Sequence, residues 1–205
     1  MNDFSLIDLN VSRETLQRLE HYDSLLKKWN PVINLVSKGT LDHTWSRHFL
    51  DSAQVFKSVD NLNGHWVDLG SGGGFPGVVC AIIAAEMAPE VRFTLIEADQ
   101  RKSTFLRTVL REVDVKAQVL SERVENATPQ SANILTARAL SSLKNLLEFS
   151  VRHLADGGSA IFPKGASFRA ELEEAKKSWA FSHVEYPSVT DENAVIIKVG
   201  DIVRG

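Results

Sequence analysis

Residues 67–77 read Val67-Asp68-Leu69-Gly70-Ser71-Gly72-Gly73-Gly74-Phe75-Pro76-Gly77. The stretch overlaps a short run, His65 to Leu69, and leads into a longer, apolar one, Val78 to Ala85. The first run has the length of a strand; the second belongs to a helix predicted from about Phe75 to Met87. A strand, a glycine loop and a helix in that order make up the place where open α/β sheets bind ligands. Four of the five residues from Gly70 to Gly74 are glycine. Each glycine costs folding entropy, so this many in one turn point to a ligand that lies close against the backbone.

The alternation continues downstream. Strands are predicted at Val91–Ile96, Val115–Leu120, Asn133–Ala137, Ser159–Phe162, His183–Pro187 and Ala194–Val199. Helices are predicted at Arg101–Val113, at Ser142–Leu154 with Gly157-Gly158 closing it, and at Phe168–Trp179. Regular alternation argues for an α/β fold with a mainly parallel sheet covered on both faces. No helix separates the last two strands, so they should pair antiparallel. Upstream of Gly64 the pattern is helical. Ser12 is a candidate N-cap, and Leu16, Leu19, Tyr22, Leu26 and Trp29 recur at helical spacing until Asn30-Pro31. A second helix is predicted from Leu41 to Val59. The turn Asn61-Leu62-Asn63-Gly64 divides the chain into a helical cap, residues 1–63, and a sheet domain, residues 64–205.

Composition narrows the function. The chain has 205 residues, 43% hydrophobic, with 23 Lys and Arg against 26 Asp and Glu, a net charge of −3. Seven cations face eight anions before residue 61, and sixteen face eighteen after it. Neither part is a basic tail, so bulk electrostatic coating of nucleic acid is excluded. The single cysteine, Cys80, excludes a disulfide framework, and the six histidines show no metal-ligand spacing, so no metal is expected. The acidic start Met1-Asn2-Asp3-Phe4 does not read as a secretory signal, and no apolar run approaches the ~20 residues of a membrane span. A cytoplasmic, soluble chain without membrane association is expected, and a monomer.

The loop admits two ligands. Gly72, Gly74 and Gly77 satisfy the dinucleotide pattern G-x-G-x-x-G. Gly70, Gly72 and Gly74 satisfy G-x-G-x-G with Asp68 two residues before, which resembles adenosylmethionine-dependent methyltransferases. Glu97, at the end of the second strand, suits either, because both ligands offer a ribose diol to a carboxylate. Three features favour S-adenosylmethionine. Asp68 would attract its ammonium and repel a pyrophosphate. The chain has no second substrate domain of the dehydrogenase kind. The terminal strand pair resembles the Rossmann-like seven-strand sheet of class I methyltransferases. An NAD-dependent oxidoreductase stays the alternative enzyme. A phosphate-binding P-loop is excluded, since no Gly-Lys-Ser/Thr follows.

Beyond the loop, six segments in order resemble the bacterial 16S ribosomal RNA guanine-N7 methyltransferases, also called glucose-inhibited division protein B. They are Trp29-Asn30 with Asn34-Leu35, Arg47-His48-Phe49-Leu50-Asp51-Ser52, Asp68 to Gly77, Arg123-Val124-Glu125, Arg138-Ala139 and Pro163-Lys164-Gly165. The resemblance spans nearly the whole chain, but residues 166–193 match nothing in it. It implies that Gly70 and Phe75 line the cofactor site with Gly72 and Gly74, and that Val124 and Glu125 meet the adenine end. It implies that Arg138 lies at the cofactor or the acceptor, that Arg47 and His48 bind substrate, and that the partner is 16S rRNA, free or within the small subunit. Guanine N7 exposes a lone pair, so no base is required, and catalysis comes from orientation. Arg138 and Lys164 are the catalytic candidates; either can hold O6 or phosphate, but N7 must stay free to attack.

Plainer readings stand beside these. Arg138 can pair with Asp68 or Glu97. His48 can be a packed structural histidine, and Arg47 and Asp51 a helix-surface pair at i, i+4. Lys164 can be a solvent-exposed lysine, and Trp29 and Trp45 core residues. RNA contact needs local cations, and Arg101, Lys102, Arg107 and Arg111 with Lys27-Lys28 and Lys176-Lys177 are candidates. A non-catalytic RNA-binding module on the same fold is the third reading.

Overall fold

Strand β1, His65–Leu69, forms over the residues predicted and is buried along its whole length. Trp66 on one face and Val67 and Leu69 on the other give it apolar side chains on both sides, as a central parallel strand needs, while the buried His65 and Asp68 find hydrogen-bond partners in Thr94 and Thr136. In this computed structural model, which describes residues 4–205, β1 lies inside a seven-stranded sheet of order β3-β2-β1-β4-β5-β7-β6. Met1-Asn2-Asp3, read above as the start of a chain without a secretory signal, lie outside the described residues. The other strands are β2 (Arg92–Ile96), β3 (Gln118–Leu120), β4 (Ala132–Ala137), β5 (Leu154–Lys164), β6 (Trp179–Pro187) and β7 (Val195–Arg204). β1 pairs parallel with β2 and β4, as do β2 with β3 and β4 with β5. β7 runs antiparallel to both β5 and β6. The order reverses beside β1, and that reversal opens the crevice in which such sheets bind ligands.

Helices α1 (Arg13–Ile33), α2 (Leu50–Lys57), α3 (Gly77–Met87), α4 (Gln100–Glu112), α5 (Leu143–His153) and α6 (Phe168–Lys176) cover the sheet. α3 explains the longest apolar run. Every residue from Gly77 to Ala84 is buried, because α1 and α2 pack on the helix from outside while the sheet packs from inside. One core therefore joins Leu19, Tyr22 and Leu26 of α1 to Val78, Ile82 and Trp66 of the sheet layer. Cys80 is buried in it.

Several boundaries differ from the sequence reading, and four of the differences bear on the packing. Ser12 caps α1 as predicted, its side chain accepting from Thr15 N–H at 3.2 Å, but the helix runs on through Pro31 to Ile33. Proline in the last turn removes one ladder bond only, and Asn34, left-handed at φ 47°, closes the end. The segment predicted as one helix from Leu41 to Val59 is a 3₁₀ turn (Lys38–His43), a wide π turn (Trp45–Phe49) and α2. The π turn puts His48 and Phe49 on the inside together. Gly157-Gly158 do not close α5; they lie within β5, where its register against β4 shifts. A Cβ on Gly158 would stand 2.6 Å from the Ala132 carbonyl oxygen, so the strand tolerates only glycine there. Trp179 starts β6 instead of ending α6.

Candidate functional site: two clefts joined at Arg138

The glycine loop is shaped from behind. Tyr22 of α1 donates its hydroxyl to the Gly73 carbonyl, and its ring stacks on Phe75 with centroids 5.3 Å apart. Gly74 has φ +97°, and a Cβ there would stand 2.5 Å from the Tyr22 hydroxyl and 2.7 Å from Val78 Cγ2. Gly74 thus serves the seating of the loop on the cap and does not line the cleft in front. Gly72 differs. It has φ +55°, and a Cβ would meet nothing nearer than the Gly70 carbonyl at 3.8 Å, with the cleft open before it.

Asp68 also stands behind the loop. It is fully buried, and its Oδ1 accepts from Thr136 Oγ1 at 2.7 Å. A Cβ on Gly77 would stand 2.6 Å from its Oδ2. Burial pushes its carboxyl up to about 6, opposed by hydrogen bonds from Thr136 and Ser71. Its influence on a ligand is through the loop and not by contact.

In front lies a cleft of about 400 Å³. Gly70, Gly72, Phe75, Glu97, Val124, Glu125 and Arg138 all line it, so sequence positions 68 residues apart are brought to one wall. Glu97 is fixed by two backbone donors, Gly72 N–H on Oε2 and Asp99 N–H on Oε1, both at 2.8 Å. Val124 is held from below by His153 of α5, whose Nε2 lies 3.0 Å from its carbonyl. Lys102, Arg123 and Leu140 also line it; no motif in the sequence marked Leu140.

A second cleft of about 660 Å³ adjoins the first, with Arg138, Ala139 and Leu140 common to both. Ala139 holds φ +53°, a conformation costing roughly 1–3 kcal/mol for a residue with a Cβ, and turns the chain between the clefts. The cations here are paired. Arg47 Nη1 and Nη2 reach Asp191 at 3.2 Å, and Thr190 donates its hydroxyl to Asp51. The i, i+4 pair read between Arg47 and Asp51 does not form; each faces the loop between β6 and β7 instead. Lys164 is only 8% exposed and contacts Glu171 at 2.7 Å and the Ser141 carbonyl at 2.9 Å. It is not the solvent-exposed lysine that its place after a strand suggests. Glu171 also accepts from Leu143 N–H at 2.8 Å, tying α6 to the start of α5. The unmatched stretch 166–193 therefore furnishes the carboxylate partners of Arg47 and Lys164.

Arg138 pairs with neither Asp68 nor Glu97. Its Nη1 donates to His48 Nδ1 at 2.9 Å and to the Arg47 carbonyl at 3.3 Å, and its guanidinium lies 5.0 Å from the Phe75 ring centre. His48 lines neither cleft. It stacks on Phe75 at 5.0 Å, and burial with the charges of Arg138 and Arg47 lowers its pKa to about 3. Trp29 packs on Phe105 and Trp45 on Phe49. Among the surface cations, Arg107 is tied to the Val119 carbonyl and Ser121, and Lys27, Lys176 and Lys177 sit beside carboxylates. Among the described residues no group of three or more His, Cys, Asp or Glu could hold a metal ion, and no helix is long and apolar enough to cross a membrane.

The family model for rRNA small subunit methyltransferase G matches residues 15–196. The chain belongs to that family. A relative from Ruegeria pomeroyi named ribosomal RNA small subunit methyltransferase G is 53% identical over 196 residues, 96% of each chain. One of the same name from Rhodospirillum centenum is 47% identical, covering 94% of this chain and 87% of its own. Two solved structures show the fold at low identity. Aeropyrum pernix fibrillarin, in complex with natively bound S-adenosyl-L-methionine, has a TM-score of 0.58 at 16% identity over 76% of this chain and 75% of its own. The tRNA (m1A58) methyltransferase of Aquifex aeolicus has a TM-score of 0.55 at 14% identity over 76% and 69%. The enzyme is thus an α/β methyltransferase with the class I seven-strand sheet, and the oxidoreductase alternative falls.

Proposed function

We propose that this methyltransferase moves the methyl of S-adenosylmethionine to N7 of one guanine in 16S rRNA, in the bacterial cytoplasm and as a monomer. The observation that carries the reading is the pair of clefts meeting at Arg138, one walled by backbone and a fixed carboxylate, the other by side chains. The first cleft suits the cofactor. Glu97, held by two backbone N–H groups, offers its remaining lone pairs to a ribose diol. Gly70 and Gly72 give the backbone approach, Val124 and Glu125 the adenine end, and Phe75 an apolar wall. Bound S-adenosylmethionine supplies an electrophilic sulfonium methyl. The second cleft suits the acceptor, with Arg47 at its rim and Arg138 at its inner end.

No side chain needs to take a proton from N7. The chain's contribution is orientation, which can be worth several kcal/mol, up to roughly 7–11. Arg138 can hold O6, a phosphate or the methionine carboxylate while leaving N7 free. Lys164 is better read as a brace for α6 than as a catalytic group, because Glu171 offsets its charge. The cap, residues 1–63, belongs to the same design: Tyr22 seats the glycine loop of the 64–205 domain. A base buried in a stack could not reach the junction of the clefts, so the acceptor is a loop or flipped-out nucleotide. The test is to map methylated nucleotides in 16S rRNA, as free RNA and as small subunits, from cells with and without the protein. One N7-methylguanine that disappears with the protein is expected; an unchanged map overturns the proposal.

A further inference from the structure

We infer that His48 is a positioning residue, whose Nδ1 fixes the Arg138 guanidinium at the junction of the two clefts without cancelling its charge. The inference rests on reading the first cleft as the cofactor site. Arginine presents only donors, so a ring nitrogen 2.9 Å from Arg138 Nη1 must carry a lone pair. The contacts of the other ring nitrogen fit that tautomer. Thr40 Oγ1 donates to the Ser37 carbonyl at 3.0 Å, which uses its one hydrogen. It can then only accept from His48 Nε2 at 2.9 Å, leaving the proton on Nε2 and the lone pair on Nδ1. The stack of the imidazole on Phe75, 5.0 Å between centres, fixes the ring plane.

The choice of partner has a consequence. Arg47 and Lys164 meet carboxylates, which hold a cation in place and neutralise it together. Arg138 meets two neutral acceptors and an aromatic face. Asp51 and Asp68 act on it from a distance and form no direct ion pair with it, so its fork is held on one edge while its positive charge stays available to an anionic or carbonyl-bearing ligand in either cleft. A carboxylate in place of His48 would hold Arg138 equally well and spend that charge. Burial of His48 serves the same end, because a second proton on the ring would set one cation against another.

Substitution separates this role from plain packing. Asn at position 48 places a carbonyl oxygen where Nδ1 stands; Gln places its amide near Nε2 and leaves Arg138 without the acceptor. Adenosylhomocysteine binding by calorimetry and the KM for 16S rRNA should be measured for wild type, Arg138→Ala, His48→Asn, His48→Gln and the Arg138→Ala/His48→Gln double variant, with thermal unfolding alongside. Arg138→Ala should weaken one ligand. His48→Gln should weaken that same ligand by about tenfold, the worth of a hydrogen bond to a charged group. His48→Asn should recover most of that loss, and His48→Gln should add less than about twofold to Arg138→Ala, as coupled residues do. Failure of wild type to bind adenosylhomocysteine would overturn the cofactor reading. Wild-type binding with His48→Asn as weak as His48→Gln, with Arg138→Ala unimpaired on both ligands, or with full additivity in the double variant, would overturn the role of His48.

Discussion

The two clefts that meet at Arg138 are built on different principles. The cofactor side is mostly backbone: the glycine loop, the N–H groups that pin Glu97, and the turn carrying Val124. The acceptor side is mostly side chains, and they are occupied with one another through Arg47–Asp191, Thr190–Asp51 and Lys164–Glu171. A backbone site is organised before the ligand arrives and owes little to any single side chain. A side-chain site with internal ion pairs must exchange them for ligand contacts. Changes on the first side should therefore act on affinity with large effect, and changes on the second should divide between stability and RNA binding.

The largest effect is expected from Gly72→Val. The left-handed φ of +55° is costly for any residue with a Cβ, and more so for a β-branched one. The new side chain would point into open cleft and not into the protein. Calorimetry should show adenosylhomocysteine affinity falling on the order of a hundredfold, while the circular dichroism spectrum stays native. Unchanged affinity would show that the loop is a turn and nothing more, and the contrast between the clefts would collapse.

Lys164→Met probes the other side. It leaves Glu171, 23% exposed, without its cation but still bound to Leu143 N–H. Unfolding free energy should drop by about 2 kcal/mol, below the roughly 3–5 typical of a fully buried broken pair. Turnover at saturating RNA should stay within a few fold of wild type. A thousandfold loss with an intact fold would return Lys164 to the reacting base.

The same contrast explains what could be read in the sequence. The sheet, the antiparallel final pair, the glycine loop and Glu97 were legible because they depend on local patterns: apolar runs, a glycine loop, a carboxylate ending a strand; Phe75, Val124, Glu125 and Arg138 were reached only through the family resemblance. His65–Leu69 was read to the residue. The pairings of the second cleft were not legible, because Arg47 finds Asp191 and Lys164 finds Glu171 only after the β6–β7 loop and α6 have folded over them. Tyr22 sat in the helical stripe with nothing to show that its hydroxyl meets Gly73, so Gly74 looked like a ligand glycine when it answers to the cap. The run of α1 past Pro31 and the break of the second helix at Trp45–Phe49 were not legible because local propensity is outweighed by packing, at Phe49 by its ring contacts with Tyr22 and Phe75.

The junction itself can be followed by pH. Folded His48, with its pKa lowered to about 3 by burial and by Arg138 and Arg47, refuses a proton that the unfolded chain accepts near 6.5. Stability from this group is complete above about pH 6.5 and is lost as pH falls toward 3. Asp68, raised to about 6, has the opposite sign: the folded carboxyl takes its proton first, so acidification from 6 toward 4 favours the fold. His65 and His153, both lowered, and Asp51, raised, add to the two sides and are common to wild type and variant. In His48→Asn only the His48 contribution is removed. Its stability deficit against wild type should therefore shrink between pH 7 and 4.5, by at most about 1.4 kcal/mol per pH unit. Urea unfolding at several pH values measures the difference; a constant deficit would mean His48 is not held neutral.

The smallest effect concerns the rim. Arg47 and Asp191 are 44% and 33% exposed, so Asp191→Asn should change stability by less than about 0.5 kcal/mol. It should free Arg47 for a phosphate and tighten RNA binding by about two- to threefold at low salt, read by filter binding. The salt dependence carries the sharper information. A chain with net charge −3, in which 11 of the 23 Lys and Arg lie beside carboxylates among the described residues, can release few counterions, so log K against log salt should have a shallow slope, and Asp191→Asn should steepen it by about one phosphate contact or less. A steep wild-type slope, typical of six or more contacts, would mean that the internal pairs open together when RNA binds. The second cleft would then be a charged surface masked in the free protein, and its difference from the first would be one of state and not of construction.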